Sequence, residues 1–138
     1  LISQSMKALA VAVALMWVTP ALAADKKYEI DVSKTSKEVK QGKKGQFGLH
    51  IKAAKGFKVS QEAPLKIKLA SEGRDLSKSK LSTKDAKAKK WTSPEFGVPF
   101  TATKSGDQKI NVEATFFVCD EHICERKKEK LAVSVAVK

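Results

Sequence analysis

The feature that most limits what this chain can fold into is a period of two in its apolar residues. Tyr28, Ile30 and Val32 alternate with Glu29 and Asp31, and Phe47, Leu49 and Ile51 with Gly48, His50 and Lys52. Leu65, Ile67 and Leu69 alternate with Lys66 and Lys68. The longest run is Ile110, Val112, Ala114, Phe116 and Val118, and the last is Leu131, Val133, Val135 and Val137. Successive side chains on a strand point to opposite faces, so each run predicts a half-buried strand. Turn signals fall between the runs at Gln41-Gly42-Lys43-Lys44-Gly45, Lys55-Gly56, Glu72-Gly73 and Ser105-Gly106-Asp107. Phe57-Lys58-Val59 and residues 95–103 add shorter strands. Residues 82–90 contain helix formers but no apolar stripe, and read as a lysine-rich connection with at most one helical turn. The pattern predicts an all-β, immunoglobulin-like antiparallel sandwich, with a small barrel as the alternative.

Residues 1–23 stand apart from this pattern. Met6-Lys7 precedes the apolar run 8–18, and Ala21-Leu22-Ala23 supplies the small residues a signal peptidase requires. This is the order of a secretory signal peptide cut between Ala23 and Ala24. The run is too short for a membrane span and ends at Pro20. With Met6 as the start, the expectation is a periplasmic or secreted domain over residues 24–138, with no transmembrane segment after cleavage.

Lysine and arginine number 27 against 15 acidic residues, for a net charge of +12. Arg74 and Arg126 are the only arginines. Lysine is a hydrated point charge, whereas the arginine fork reads phosphates and base edges bidentately. The lysines are also dispersed, and an exported protein does not meet genomic DNA, so no nucleic acid partner is expected. A solvated surface, or attraction to an anionic surface or protein, accounts for the charge. Aromatic residues make up 7%, too few for a carbohydrate cleft or a base-stacking platform. There is no glycine-rich phosphate loop and no nucleophile-elbow motif, and no cofactor is expected.

The two cysteines sit in Val118-Cys119-Asp120-Glu121-His122-Ile123-Cys124. A hairpin joining consecutive strands can bring them within disulfide reach, and an oxidising compartment favours the bridge. Cys119 shares the parity of Thr115 and Phe117, so it is expected to leave the core face, where a partner could reach it. A six-residue ring stabilises by only about 2 kcal/mol in the chain-entropy account. A strand end is also where strain or exposure would make a bridge easy to reduce. These residues alone leave a structural staple and a redox pair equally open. Cys119, His122 and Cys124 would make a soft metal set, but the spacing matches no metal motif and oxidation removes two of the donors. No metal is expected, and His122 reads as an exposed loop residue. His50 is expected to point outward from its strand.

The segment Phe116…Cys119-Asp120…Cys124 resembles the N-terminal periplasmic domain of the thiol:disulfide interchange protein DsbD and related stand-alone domains. The likeness extends upstream to Ala54-Lys55-Gly56-Phe57-Lys58-Val59 and Ala63-Pro64-Leu65-Lys66-Ile67. It implies an immunoglobulin-like fold, a redox pair Cys119 and Cys124 on a late hairpin, and attack at Cys124. It also implies a capping aromatic near Glu95-Phe96-Gly97, which points to Phe96, with Trp91 as the other candidate. Phe116, Asp120 and His122 would shape the site. The sequence departs from the family at Glu125-Arg126-Lys127-Lys128, where an aromatic-proline segment is usual, and at Phe116, where a tyrosine is frequent. The implied function is thiol:disulfide interchange with a separate thioredoxin-like or other periplasmic thiol protein. The alternative is a non-enzymatic accessory domain with a structural disulfide and a lysine-rich binding surface.

Overall fold

A computed structural model describes residues 27–72 and 74–138. The signal segment, its cleavage point and Gly73 of the Glu72-Gly73 turn lie outside the described residues. In chain order the strands are β1 (Tyr28–Asp31), β2 (Glu38–Val39), β3 (Lys44–Ala53), β4 (Lys58–Val59) and β5 (Lys66–Ser71). They continue as β6 (Arg74–Leu76), β7 (Lys80–Leu81), β8 (Glu95–Ala102), β9 (Gly106–Cys119) and β10 (Cys124–Val137). One 3-10 turn, Thr83–Asp85, interrupts the lysine-rich connection.

Two sheets form, ordered β1-β3-β8-β6 and β2-β10-β9-β5-β7, with β4 added on β9. The first set corresponds to strands A, B, E and D of an immunoglobulin domain, and β5, β9 and β10 to C, F and G. All the pairings are antiparallel except β2 on β10. The chain is an immunoglobulin-like antiparallel β-sandwich.

The alternation read from the sequence becomes the core. Phe47, Leu49 and Ile51 from β3 and Phe96, Val98 and Phe100 from β8 face Ile67 and Leu69 of β5. Ile110, Val112, Ala114, Phe116 and Val118 of β9 complete the buried layer. Burying such side chains contributes about 1.5–3 kcal/mol each, which is why a sequence with few helix signals settles as a sandwich. Gly56 and Gly106 take φ of 85° and 101°, left-handed values open to glycine, in two of the turns the sequence marks. The segment between β1 and β3 is pinned by buried Thr35. Its hydroxyl donates to the Gly48 carbonyl and accepts from the Gly48 N–H, both at 3.1 Å. A Cβ on Gly48 would lie 2.8 Å from the Lys34 Cβ, so the close approach of that segment requires glycine.

Three short strands were not visible in the alternation: β2, β6 and β7. Each has three residues or fewer, too few for a period to register. The other departure is the length of β10. Its charged first half, Glu125 to Lys130, has no apolar stripe and yet is continuous strand paired with β9.

Candidate functional site

The β9–β10 hairpin is the longest element pair, fourteen residues on each side, and its tip carries the cysteines. Cys119 and Cys124 are direct cross-strand partners, with their alpha carbons 4.0 Å apart, and they are bridged. Four residues make the turn, and Asp120 holds it. Its carboxylate accepts from the backbone N–H of His122 at 2.7 Å and of Ile123 at 2.8 Å. The Asp120 N–H in turn donates to the Ile123 carbonyl at 3.0 Å. An aspartate bonded to backbone two and three residues on is a standard way to fix a tight turn. The two backbone donors, Ile123 first, hold the Asp120 carboxyl below the usual range.

The two cysteines differ in exposure. Cys119 is only 3% exposed, whereas Cys124 is open to solvent. The parity expectation for Cys119 is therefore corrected in one respect. Its side chain does lie on the outer face of the six-stranded sheet, in line with half-buried Thr115 and Phe117. It is nevertheless covered, because β4 pairs on one side of it and β10 on the other. Cys124 opens β10, whose far edge is paired by β2 at the opposite end, at Ala136 and Val137. The reachable sulfur belongs to Cys124.

Beneath this face lies Phe116, fully buried and set edge-on to Tyr28, with ring centroids 5.1 Å apart. The Tyr28 hydroxyl donates to the Glu129 carboxylate, and burial, followed by this carboxylate, pushes its pKa up to about 12. Lys27 Nζ meets Glu125 at 2.5 Å, and Lys127 meets it at 2.9 Å. These two lysines, Lys27 first, hold the Glu125 carboxyl below its ordinary value. Thus β1, from the other sheet, is tied to the underside of the hairpin tip.

Phe96 does not cap the bridge. It is a core residue, fully buried on the inward face of β8 opposite Leu49, whereas the disulfide is on the outward face of the other sheet. Parity on β8 decides this, since Phe96, Val98 and Phe100 share the inward side. Trp91 packs against the core and is partly buried. His122 is exposed beside Ile123, and His50 sits between Asp31 of β1 and Glu95 of β8. Among the described residues no group of three or more His, Cys, Asp or Glu side chains gathers to hold a metal ion. No helix among the described residues is long and apolar enough to cross a membrane.

One neighbour was missed from the sequence. Lys58 lies directly across from Cys119, on the outer face. The Phe57-Lys58-Val59 strand was legible, but nothing local says which strand it joins.

No family model matches the chain, and no curated protein matches it. Solved structures similar to the chain include the following three. Domains 4 and 5 of the S-layer protein SbsC share 18% identity at a TM-score of 0.46, over 80% of this chain and 51% of that one. The chain thus spans about half the length of that S-layer chain. A conjugative transposon lipoprotein from Bacteroides eggerthii shares 12% identity at 0.45, over 79% of this chain and 96% of that one. A cohesin module from a Clostridium perfringens family 33 glycoside hydrolase shares 14% at 0.41, over 80% and 95%. None of the three names speaks of thiol exchange. The strand order itself makes this chain an immunoglobulin-like sandwich with a disulfide at the tip of its longest hairpin.

Proposed function

We propose that the chain is an exported thiol–disulfide exchange domain that passes electrons through Cys119 and Cys124 to or from another periplasmic protein. The observation that carries the reading is the unequal burial of the pair: Cys124 is open and Cys119 is covered. A partner thiolate attacks the Cys124 sulfur, forming a mixed disulfide, while the Cys119–Cys124 bond breaks and its electron pair leaves on Cys119. The partner's second thiolate then attacks its own sulfur in the mixed disulfide and releases Cys124. Two electrons have moved from the partner's dithiol, which becomes a disulfide, to this chain, and the two protons follow from the partner thiols through solvent. The reverse sequence oxidises the chain. The ammonium of Lys58, on β4 directly across from Cys119, favours the departing thiolate. A thioredoxin-like protein supplies the dithiol in this scheme.

Equilibration in glutathione buffers tests the proposal. A potential above about −300 mV, with fast exchange at Cys124, supports it. A potential far below that value, with no exchange with a thioredoxin-like dithiol, rejects it.

The burial of Cys119 also favours a second reading, in which the bridge is a staple and the chain is a non-enzymatic binding domain. Replacing both cysteines with serine separates the two. Lost stability with undiminished partner binding supports the staple.

A further inference from the structure

The bridge shares its face of the six-stranded sheet with a field of cations. Rows across the strands, read from the register, run Lys58–Cys119–Cys124, then Phe117–Arg126, then Lys66–Thr115–Lys128, then Lys80–Lys68–Glu113–Lys130. Directly opposed residues on neighbouring strands point to one face, so these side chains stand together. Lys58, Lys66, Lys68, Lys80, Arg126, Lys128 and Lys130 are all exposed. Glu113 is the one carboxylate in these rows, and its ion pair is with Lys128 at 3.3 Å. Its carboxyl is held below the ordinary value by Lys128 first, with Lys130 and Lys68 adding to the effect, so the fields of cations on both flanking strands, β10 and β5, converge there. A groove of about 660 Å³ crosses the same face, bordered by Lys68, Lys80 and Lys130 and floored by Ala70 and Ala132.

We infer that this face is the docking surface for an acidic protein whose thiol reacts at Cys124; the inference rests on the exchange reading above. Charge complementarity names the partner's sign. Its being a protein follows from the tip, where Ile123, 57% exposed, and half-buried Phe117 stand beside Cys124. An apolar anchor bordered by charge is how protein interfaces are built, whereas a bare cationic field would suffice for a polyanion. At about 3.3 Å per residue, Lys128 lies about 13 Å and Lys130 about 20 Å from Cys124 along β10. An acidic patch that far from the partner's thiol would meet the lysines as the thiol meets the sulfur. Such complementarity acts mostly on the rate of encounter and on the choice of partner.

The test uses three thiol peptides, each with one cysteine spaced from a run of glutamates, of glutamines or of lysines. Opening of the bridge is timed for each. The glutamate peptide should react about tenfold faster than the glutamine peptide at low salt, and the lysine peptide slower, with the differences shrinking as salt rises. The variant Lys68→Glu/Lys128→Glu/Lys130→Glu leaves as many acidic as basic side chains in these rows and should abolish that order, while the rate with dithiothreitol, which brings only the thiolate charge common to every probe, should change far less. Glutamine replacements at the same positions leave Lys58, Lys66, Lys80 and Arg126 in place and should weaken the preference without abolishing it, which guards against a fold defect in the glutamate variant. Equal rates for the three peptides would overturn the docking surface while leaving exchange intact. If no thiol opens the bridge, the exchange reading fails, and docking is judged on the Cys119→Ser/Cys124→Ser chain. Salt-sensitive binding of the glutamate peptide to that chain then sustains the surface. Binding only to vesicles containing anionic phosphatidylglycerol overturns it in favour of a membrane.

Discussion

The two halves of the β9–β10 hairpin share one continuous register but are closed by different means. Toward the turn between β8 and β9, apolar residues face the core from both strands: Ile110 opposite Val133, and Val112 opposite Leu131. Toward the tip, β9 stays apolar while β10 turns charged, with Ala114 opposite Glu129, Phe116 opposite Lys127, and Val118 opposite Glu125. Those inward charges meet Lys27 and Tyr28 rather than a second apolar layer. The edge of β10 explains the choice. Among the described residues it carries no strand partner along its charged half, from Cys124 to Lys130, and inward-pointing charge is one way a protein keeps such an edge from pairing with another chain. The core half holds the hairpin in place, and the tip half leaves Cys124 reachable.

If stability is concentrated in the core half, truncation there should have the largest effect. Ile110→Ala should cost about 3 kcal/mol in urea unfolding, within the 2–5 usual for an isoleucine in a packed core. A loss under about 1 kcal/mol would mean that the two halves are not as different as their packing indicates.

On its outward face the tip is closed by the bridge. Replacing Cys119 and Cys124 together by serine should cost about 2 kcal/mol, the chain-entropy value for a ring of six residues, and reductant should lower the stability of the parent chain by a similar amount. A cost well above that of Ile110→Ala would reverse the ranking and make the tip the main anchor.

The same contrast governs what could be read in advance. The core half was legible, since Ile110 to Val118 and Leu131 to Val137 keep their period, and the run translated directly into buried positions. The charged half of β10 was not, because Glu125 to Lys130 has no apolar stripe and owes its strand state to pairing with β9. The cysteine pair and the Asp120 turn were visible as a local motif. Exposure was not, since Cys119 has outward parity and is covered by β4, a strand whose partner no local pattern announces. Phe96 failed for the opposite reason: its alternation with Val98 and Phe100 is a core signal, and the family likeness gave it a different role. The cationic rows are assembled from β4, β5, β7, β9 and β10, and only the register brings them together.

The link between β1 and the tip should have a smaller effect. Tyr28→Phe removes the hydroxyl that donates to Glu129 and should cost about 1 kcal/mol near neutral pH. Tyr28 is the only tyrosine in the chain, so phenolate absorbance reports on it alone. Its folded-state pKa lies near 12, above the ordinary value of about 10. The protonated phenol is the form the fold prefers. Its contribution is therefore fully present below pH 10 and is lost as pH rises from there toward 12. A phenolate midpoint near 10 in the folded chain would mean that β1 does not seal the underside of the tip.

The smallest effect is expected at Asp120, which acts on the turn alone. Its carboxylate is held below the usual range by the N–H groups of Ile123 and His122, so the charged form favours the turn. That contribution is present above the ordinary aspartate pKa, about 3.9, and is lost as pH falls through the lowered folded value. Asp120→Asn keeps an oxygen for the two N–H groups and removes the charge. It should lower the melting temperature slightly at neutral pH and converge on the parent as the solution is acidified. Asp120→Ala removes the acceptor as well, so a deficit should persist in acid. It should also shift the bridge toward its reduced form in glutathione buffers, because the turn no longer holds Cys124 opposite Cys119. If the alanine variant matches the parent in both measurements, the turn is set by strand pairing. The tip would then depend on β9 and β10 in the same way as the core half.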